Sequence, residues 1–250
     1  MFFKKRKTPE QWLKQMGITQ FSIREDNTID VYEHVMLSGN IPKLPVKFGI
    51  IEGNFYCFNV GLTTLEGCPY KVTGSFRCDK NQLNSLKYGP NEVGGEFDCS
   101  NNNLTSLEYC PKKIGGSLIC IQNKLITLKG CPVELGDSLN CNMNFLISII
   151  YCPRHIKGFL ACAHNDLISF DGFPEKVDSF ILFGNNKIGE HELKNFNTIV
   201  NEGINQDIIS GDKEEFLKIV NAQKIIAEKE HLINLNNTSI SKELKKHIRL

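Results

Sequence analysis

The sequence predicts a repeat solenoid, and three observations carry that prediction. Residues 96–116, EFDCSNNNLTSLEYCPKKIGG, return 21 residues later as SLICIQNKLITLKGCPVELGD and stand 21 residues earlier as SFRCDKNQLNSLKYGPNEVGG. The landmarks hold their places from Asn54 to Ile188, so cysteines, leucines and asparagines fall into columns. The period then stops, and residues 190–250 contain no cysteine and change to a helical pattern. A fixed period of this size marks units that cannot bury an apolar face alone and must stack on their neighbours.

Taken in order, the chain begins with a basic cluster, Lys4, Lys5, Arg6 and Lys7, read either as a solvated tail or as a contact for nucleic acid or anionic lipid. A helix start follows: Thr8 as N-cap, Pro9 at the first helical position and Gln11 closing a capping box. Trp12, Leu13 and Met16 supply its apolar face. So short a helix is marginal alone, so that face is expected to cover the first coil. FSIR at 21–24 and IDVY at 29–32, separated by EDNT, read as a hairpin or two edge strands. From Val35 a degenerate first coil is expected, with Met36, Ile41 and Leu44 standing 21 residues before Cys57, Leu62 and Leu65. Its PVKFG stretch replaces the later Cys-Pro turn.

From Asn54 the columns are strict. Cys57, Cys78, Cys99, Cys120, Cys141 and Cys162 form one, ending in Phe183. Leu62 through Leu167 to Ile188, Leu65 through Ile149 to Phe170, and Phe55 through Leu160 to Ile181 form three more. An asparagine column runs Asn81, Asn102, Asn123, Asn144, Asn165, Asn186, with Val60 in its first slot. The other arc carries prolines from Pro69 to Pro174, an apolar column from Val72 to Val177, and Gly-rich bends such as Gly94-Gly95 and Gly115-Gly116. In a strand the side chains alternate, so Phe76 and Cys78 point inward while Ser75, Arg77 and Asp79 point out. A buried asparagine repeated at one position must satisfy its amide, and the bend backbone of its own and neighbouring coils is the natural partner. Proline suits a turn that need not donate, and glycine a bend with positive φ.

The pattern F-x-C-x-x-N-x-L-x-x-L resembles the leucine-rich repeat consensus, with Cys in one leucine slot. Its length and proline-bearing arc are similar to the short repeats of secreted bacterial effectors. The fuller C-P-x-x-V-G-G-x-F-x-C-x-x-N-x-L-T-S-L, with LPVKFG at 44–49, is still more similar to a family carried by tailed bacteriophages. The resemblance spans about residues 21–190. It implies an α/β solenoid, a leucine-rich repeat with parallel strands on a concave face, and protein recognition. The divisions that follow are an N-terminal helix–hairpin cap over 1–34, the solenoid over 35–189, and a helical C-terminal cap or tail over 190–250. In that tail helices are expected over 190–201, from Asp212 (with Glu215 closing a capping box) and after Ser239. Phe216, Ile219, Val220, Ile226 and Ala227 approximate one apolar face. The tail is read either as a cap on the last coil or as a separate effector or oligomerisation element.

Composition narrows the function classes. A net charge of +1, with 41% hydrophobic and 23% charged residues, gives no global field to steer nucleic acid or anionic membranes. No apolar run reaches membrane-spanning length, and MFFKKRKTPEQWL has no secretory h-region. The expected compartment is the reducing cytoplasm, with the ten cysteines as free thiols. Cysteine spacings alternate between 11 and 10 residues without C-x-x-C, unlike a zinc site. Cys152, His155, Cys162 and His164 are close in sequence but fall on three different faces of the repeat, so no metal is expected. In-register thiols on adjacent strands hold their Cβ atoms too far apart for a bridge. Effectors sharing this repeat class often carry a ligase domain with a catalytic cysteine, but the tail here has none. No nucleophile elbow, phosphate loop or H-E-x-x-H occurs, and neither catalysis nor a cofactor is expected.

The remaining candidate is the outward side of the F-x-C strands. It starts polar, with Tyr56, Phe58, Arg77, Asp79, Lys80, Glu96, Asp98 and Ser100, and turns apolar through Ile119, Ile121, Met143, Phe159, Ala161, Ala163, Phe180 and Leu182. So many apolar groups on a solvated face mark either a partner surface or a patch that the C-terminal helices cover. The residues expected to bind a protein partner are Tyr56, Arg77, Asp98, Ile119, Ile121, Met143, Phe159, Phe180 and Leu182. The expected function is that of a phage-encoded factor engaging a host protein in the host cytoplasm. The alternative is a virion-associated component assembling through its helical tail.

Overall fold

A computed structural model describes residues 7–169 and 171–188. Lys4, Lys5, Arg6, Phe170 and the helices expected over 190–250 lie outside the described residues. Within them the chain winds as a parallel β-solenoid with two ladders. Thr8 accepts the N–H of Gln11 on its hydroxyl, and Gln11 returns a bond to the Thr8 N–H at 3.1 Å. The helix so capped, α1 (Pro9–Gln15), buries Leu13 and sets Trp12 6.3 Å from the Phe48 ring. β1 (Phe21–Ile23) and β2 (Thr28–Val31) pair antiparallel as a hairpin.

The eight-stranded sheet begins with β3 (Val35–Met36), and β4 (Lys47–Ile51) belongs to the second ladder. After β3 it takes one two-residue strand from each coil: Phe55–Tyr56, Phe76–Arg77, Phe97–Asp98, Leu118–Ile119, Leu139–Asn140, Leu160–Ala161 and Ile181–Leu182. Every pair is parallel, and from Phe55 onward the register step is that of the sequence repeat. The inward columns are dry: Phe55, Phe76 and Phe97 are fully buried, as are Cys57 through Cys162 and Leu62 through Leu167. Phe55 stacks on Phe76 and Phe76 on Phe97, each at 5.5 Å, continuing through an edge contact with Phe48 at 5.2 Å. Full burial of such side chains contributes roughly 1.5–3 kcal/mol each before ordering costs, so most of the stability lies in this stack.

Three expectations are corrected. The first coil pairs Val35 with Phe55 and Met36 with Tyr56, a step one residue shorter than the repeat. Leu37, not Met36, takes the inward slot: Leu37 is buried while Met36 is exposed. Strand alternation forces this choice, because moving Met36 inward would turn Val35 and Leu37 to solvent.

The second correction concerns the proline arc. Among the described residues α1 is the sole helix, and the apolar column from Val72 onward forms a second parallel ladder in place of the α/β arrangement. Joined to β1 through the antiparallel hairpin, it runs from β2 to β4, then Lys71–Val72, Glu92–Val93 and Lys113–Ile114, with a bridge from Ile114 to Leu135 and a separate pair, His155–Ile156 with Lys176–Val177. The short apolar residues of this column stack as β-bridges because the coil turns again at the buried prolines beside them.

Third, Gly94-Gly95 and Gly115-Gly116 do not adopt positive φ. They are required because coil meets coil there: a Cβ on Gly115 would stand 2.1 Å from the Gly94 carbonyl oxygen. Within the repeats, positive φ recurs in two other columns. One is Asn59, Lys80, Asn101, Gln122, Met143, His164 and Asn185; the other includes Gly67, Tyr88, Tyr109, Gly130 and Gly172.

The asparagine column satisfies its amides between coils. Asn81 Oδ1 accepts the N–H of Leu62 at 2.9 Å, and Nδ2 donates to the carbonyls of Cys57 at 2.8 Å and Cys78 at 3.0 Å. Asn102, Asn123, Asn144, Asn165 and Asn186 repeat the same acceptor and donor roles one coil on each time.

Candidate interaction surface

The strands alternate, so every second residue of the eight-stranded sheet faces out and aligns across coils. One row is Tyr56, Arg77, Asp98, Ile119, Asn140, Ala161 and Leu182. The same register sets Phe58, Asp79, Ser100 and Ile121 on one side of it, and Ser75, Glu96, Ser117, Ser138, Phe159 and Phe180 on the other.

The polar end is an enclosed ion cluster. Arg77 reaches Asp79 through Nε at 3.1 Å and Nη2 at 3.2 Å, lies 3.6 Å from Asp98 Oδ2, and holds its guanidinium carbon 5.0 Å above the Phe58 ring. Asp98 accepts the Ser100 N–H at 2.9 Å. Burial pushes the Asp98 and Glu96 carboxyls above their ordinary range, and the neighbouring carboxylates push the same way. At the other end Phe159 and Phe180 stack at 5.0 Å, and Ile119, Ile121 and Leu182 stay half-buried.

The register therefore brings eight of the nine expected partner residues onto one sheet face, with two changes of meaning. Asp98 is only 8% exposed, because the flanking strands and the Arg77 cluster enclose it, so it contributes little surface of its own to the face. Met143 is not on the face at all. It occupies the left-handed bend after the strand, with φ 56°, and its side chain is exposed there. Asp79, Ser100 and Ala161 are likewise buried.

The chemistry of the remaining polar groups is structural. All ten thiols are free, and eight are buried. Cys57, Cys99, Cys120 and Cys141 point their Sγ–H at carbonyls of the next coil, at 3.3–3.5 Å. Burial raises the thiol pKa, to about 12 at Cys141, which withholds the reactive thiolate. His155 pairs with Asp178 at 2.8 Å, and His164 lies 3.2 Å from Asn185. Among the described residues no three His, Cys, Asp or Glu side chains gather as metal ligands, and no helix is long and apolar enough to cross a membrane.

A second surface was not found by sequence reasoning. Just past the left-handed bend, Ile126, Ile147 and Ile168 occupy the slot held by Thr63, Asn84 and Thr105 in earlier coils, and they are 59%, 55% and 56% exposed. Phe145 on one side and Ile150 and Tyr151 on the other are exposed as well. The signal was present as a column whose residues switch from polar to isoleucine, but each isoleucine directly follows an inward leucine (Leu125, Leu146 or Leu167) and reads as core.

No family model, curated protein or solved structure matches the chain, so the function is read from this geometry.

Proposed function

We propose that the protein is a non-enzymatic recognition scaffold that engages another protein through the outward face of its eight-stranded sheet. The observation that carries this reading is the polarity gradient along one aligned face, from the Arg77–Asp79–Asp98 cluster to the Phe159–Phe180 stack. A rigid sheet of parallel strands presents such a face without reordering on binding, which lowers the entropic cost of association. The apolar half supplies desolvation, and the charged half orients the partner. The leucine-rich-repeat class belongs to the same proposal and rests on the Cys, Asn and Leu columns. The similarity to phage-borne repeats makes a protein of the bacterial host the partner class to test first.

The experiment uses substitutions that the repeat itself supplies. Asn140 and Asn142 occupy the rows of Ile119 and Ile121, and Ser138 occupies the row of Phe159. The variant I119N/I121N/F159S therefore keeps side chains that this sheet already accommodates. With the immobilised full chain as bait in a bacterial host lysate, a host protein retained by the native face should be lost by this variant. Retention of the same protein by the variant, with an unchanged far-ultraviolet spectrum, overturns the reading.

A further inference from the structure

We propose that the flank centred on Ile147 is a self-association surface, on which two copies of the chain pair with their solenoid axes antiparallel. This surface lies beyond the bend from the sheet face, and the inference is independent of what that face binds.

Two features select a second copy as the occupant. The first is area. Ile126, Phe145, Ile147, Ile150, Tyr151 and Ile168 are each 52–61% exposed and lie on three successive coils, joined where Phe145 donates its N–H to the Leu125 carbonyl and Ile168 to that of Ile147. At roughly 100 Å² apiece they offer on the order of 600 Å², most of the ~800 Å² that each partner of a standard interface buries. Apolar patches of that extent on soluble proteins mark interaction surfaces.

The second is charge. In the coil before Ile147 the apolar strip is flanked by Lys124 and Lys129; in the coil after it, by Asp166 and Asp171. The middle coil carries Phe145 and Ile150 in the same slots. An isologous pair repeats one patch on both copies, and its two-fold axis lies in the contact plane. If that axis runs across the coils through Ile147, each copy sets Lys124 against Asp166 of the other and Lys129 against Asp171. Ile126 then meets Ile168, while Phe145, Ile147 and Ile150 each meet themselves. If the axis runs along the solenoid instead, Lys124 faces Lys129 and Asp166 faces Asp171, so both flanks repel. Charge thus rejects the parallel pair and selects the antiparallel one. Within the chain Lys129 already bridges Glu108 and Lys187 bridges Asp166, both at 2.7 Å, so the flanking charges steer direction while the isoleucines supply the attraction.

The test is sedimentation velocity on the full chain across a dilution series. The native protein should shift between monomer and dimer. I147D should be monomeric throughout, as should I126T/I147T, which restores the residue that Thr63 and Thr105 carry in that slot. K124D should weaken the dimer by about tenfold, and K124D/D166K should return it to the native strength. Unchanged far-ultraviolet spectra and urea midpoints exclude unfolding as the cause, and the threonine variant serves if I147D fails that control. A native protein that stays monomeric overturns the proposal, whether residues 190–250 or a different partner then covers the flank. A dimer indifferent to both Ile147 variants also overturns it, and failure of K124D/D166K to restore the dimer overturns the antiparallel arrangement.

Discussion

Asn102 joins two coils by accepting the backbone N–H of Leu83 on its Oδ1 at 2.9 Å, while its Nδ2 donates to the Cys78 carbonyl of that same earlier coil at 3.0 Å. Truncating the side chain leaves the buried Leu83 N–H without this partner, whereas the Cys78 carbonyl keeps the bond that Asn81 Nδ2 donates at 3.0 Å. Each buried unmade bond costs about 1–3 kcal/mol. Asn102→Ala should therefore lose about 2 kcal/mol in urea unfolding, and Asn186→Ala, at a half-buried position, about 1 kcal/mol. Valine should not rescue Asn102, although Val60 fills the first slot of this column. The coil before Val60 is shorter, and Ile41 donates directly to the Val60 carbonyl at 2.7 Å.

The left-handed bend makes a prediction of opposite sign. Asn59, Asn101 and Asn185 hold it with the residue type that tolerates positive φ, whereas Met143 holds it at φ 56° with an unbranched apolar side chain. The left-handed region costs an ordinary residue roughly 1–2 kcal/mol, and Asn less. Met143→Asn should raise the unfolding midpoint, with a gain of about 0.5–1 kcal/mol. Asn101→Val should lower it by at least as much, since a β-branched residue is a genuine outlier there. Thermal unfolding followed by circular dichroism reads both.

The period made the stack legible before any coordinate. Identical slots must meet when coils stack, so Cys99 over Cys78 and Asn102 over Asn81 follow from spacing alone. The same reasoning failed where a local constraint overrode the count. At Met36 the two-residue alternation of a strand outranked the longer repeat, and the register slipped by one. At Gly115 the spacing marked a glycine requirement correctly, but its cause is contact with the coil before it rather than a positive φ. Residues on one strand face were readable from alternation. Burial of Asp98 was not, because it depends on side chains from the flanking strands. The Ile147 flank was not legible because an apolar residue next to the inward Leu146 has the pattern of core, and only the bend at Met143 turns it to the surface.

Nine of the ten cysteines have thiol pKa values raised by burial. In the unfolded chain a thiol ionises near 8.5, so above that pH the folded state binds more protons than the unfolded state. The slope of unfolding free energy against pH is then negative: this contribution is complete below about pH 8.5 and is lost as pH rises toward the folded values. Stability should fall by about 1.4 kcal/mol per pH unit for each thiol still protonated in the fold. Urea midpoints measured between neutral pH and pH 10 check this slope. At pH 8 a disulfide reagent should reach the half-buried Cys131 and Cys152 first, with the remaining thiols reacting at the rate of unfolding.

Asp98→Asn should stabilise the protein at neutral pH. Burial, with Asp79 and Glu96 close by, holds the Asp98 carboxyl above its ordinary range, so its ionised form is disfavoured in the fold. A carboxyl with a raised folded pKa contributes its stability below the unfolded value, near 3.9, and loses it as pH rises through the folded value. The amide avoids that loss and can keep the local bond. Asn140, two coils along the same row, accepts the Asn142 N–H on its Oδ1 at 3.3 Å, as Asp98 accepts that of Ser100 at 2.9 Å. Arg77 remains paired with Asp79, so the contact given up is the longer one to Asp98. The expected gain is about 1 kcal/mol at pH 7, shrinking to nothing as pH falls below 4. Parallel urea titrations of the native chain and the variant at those two pH values measure it, and a variant less stable than the native chain at pH 7 would show that Arg77–Asp98 outweighs burial of the charge.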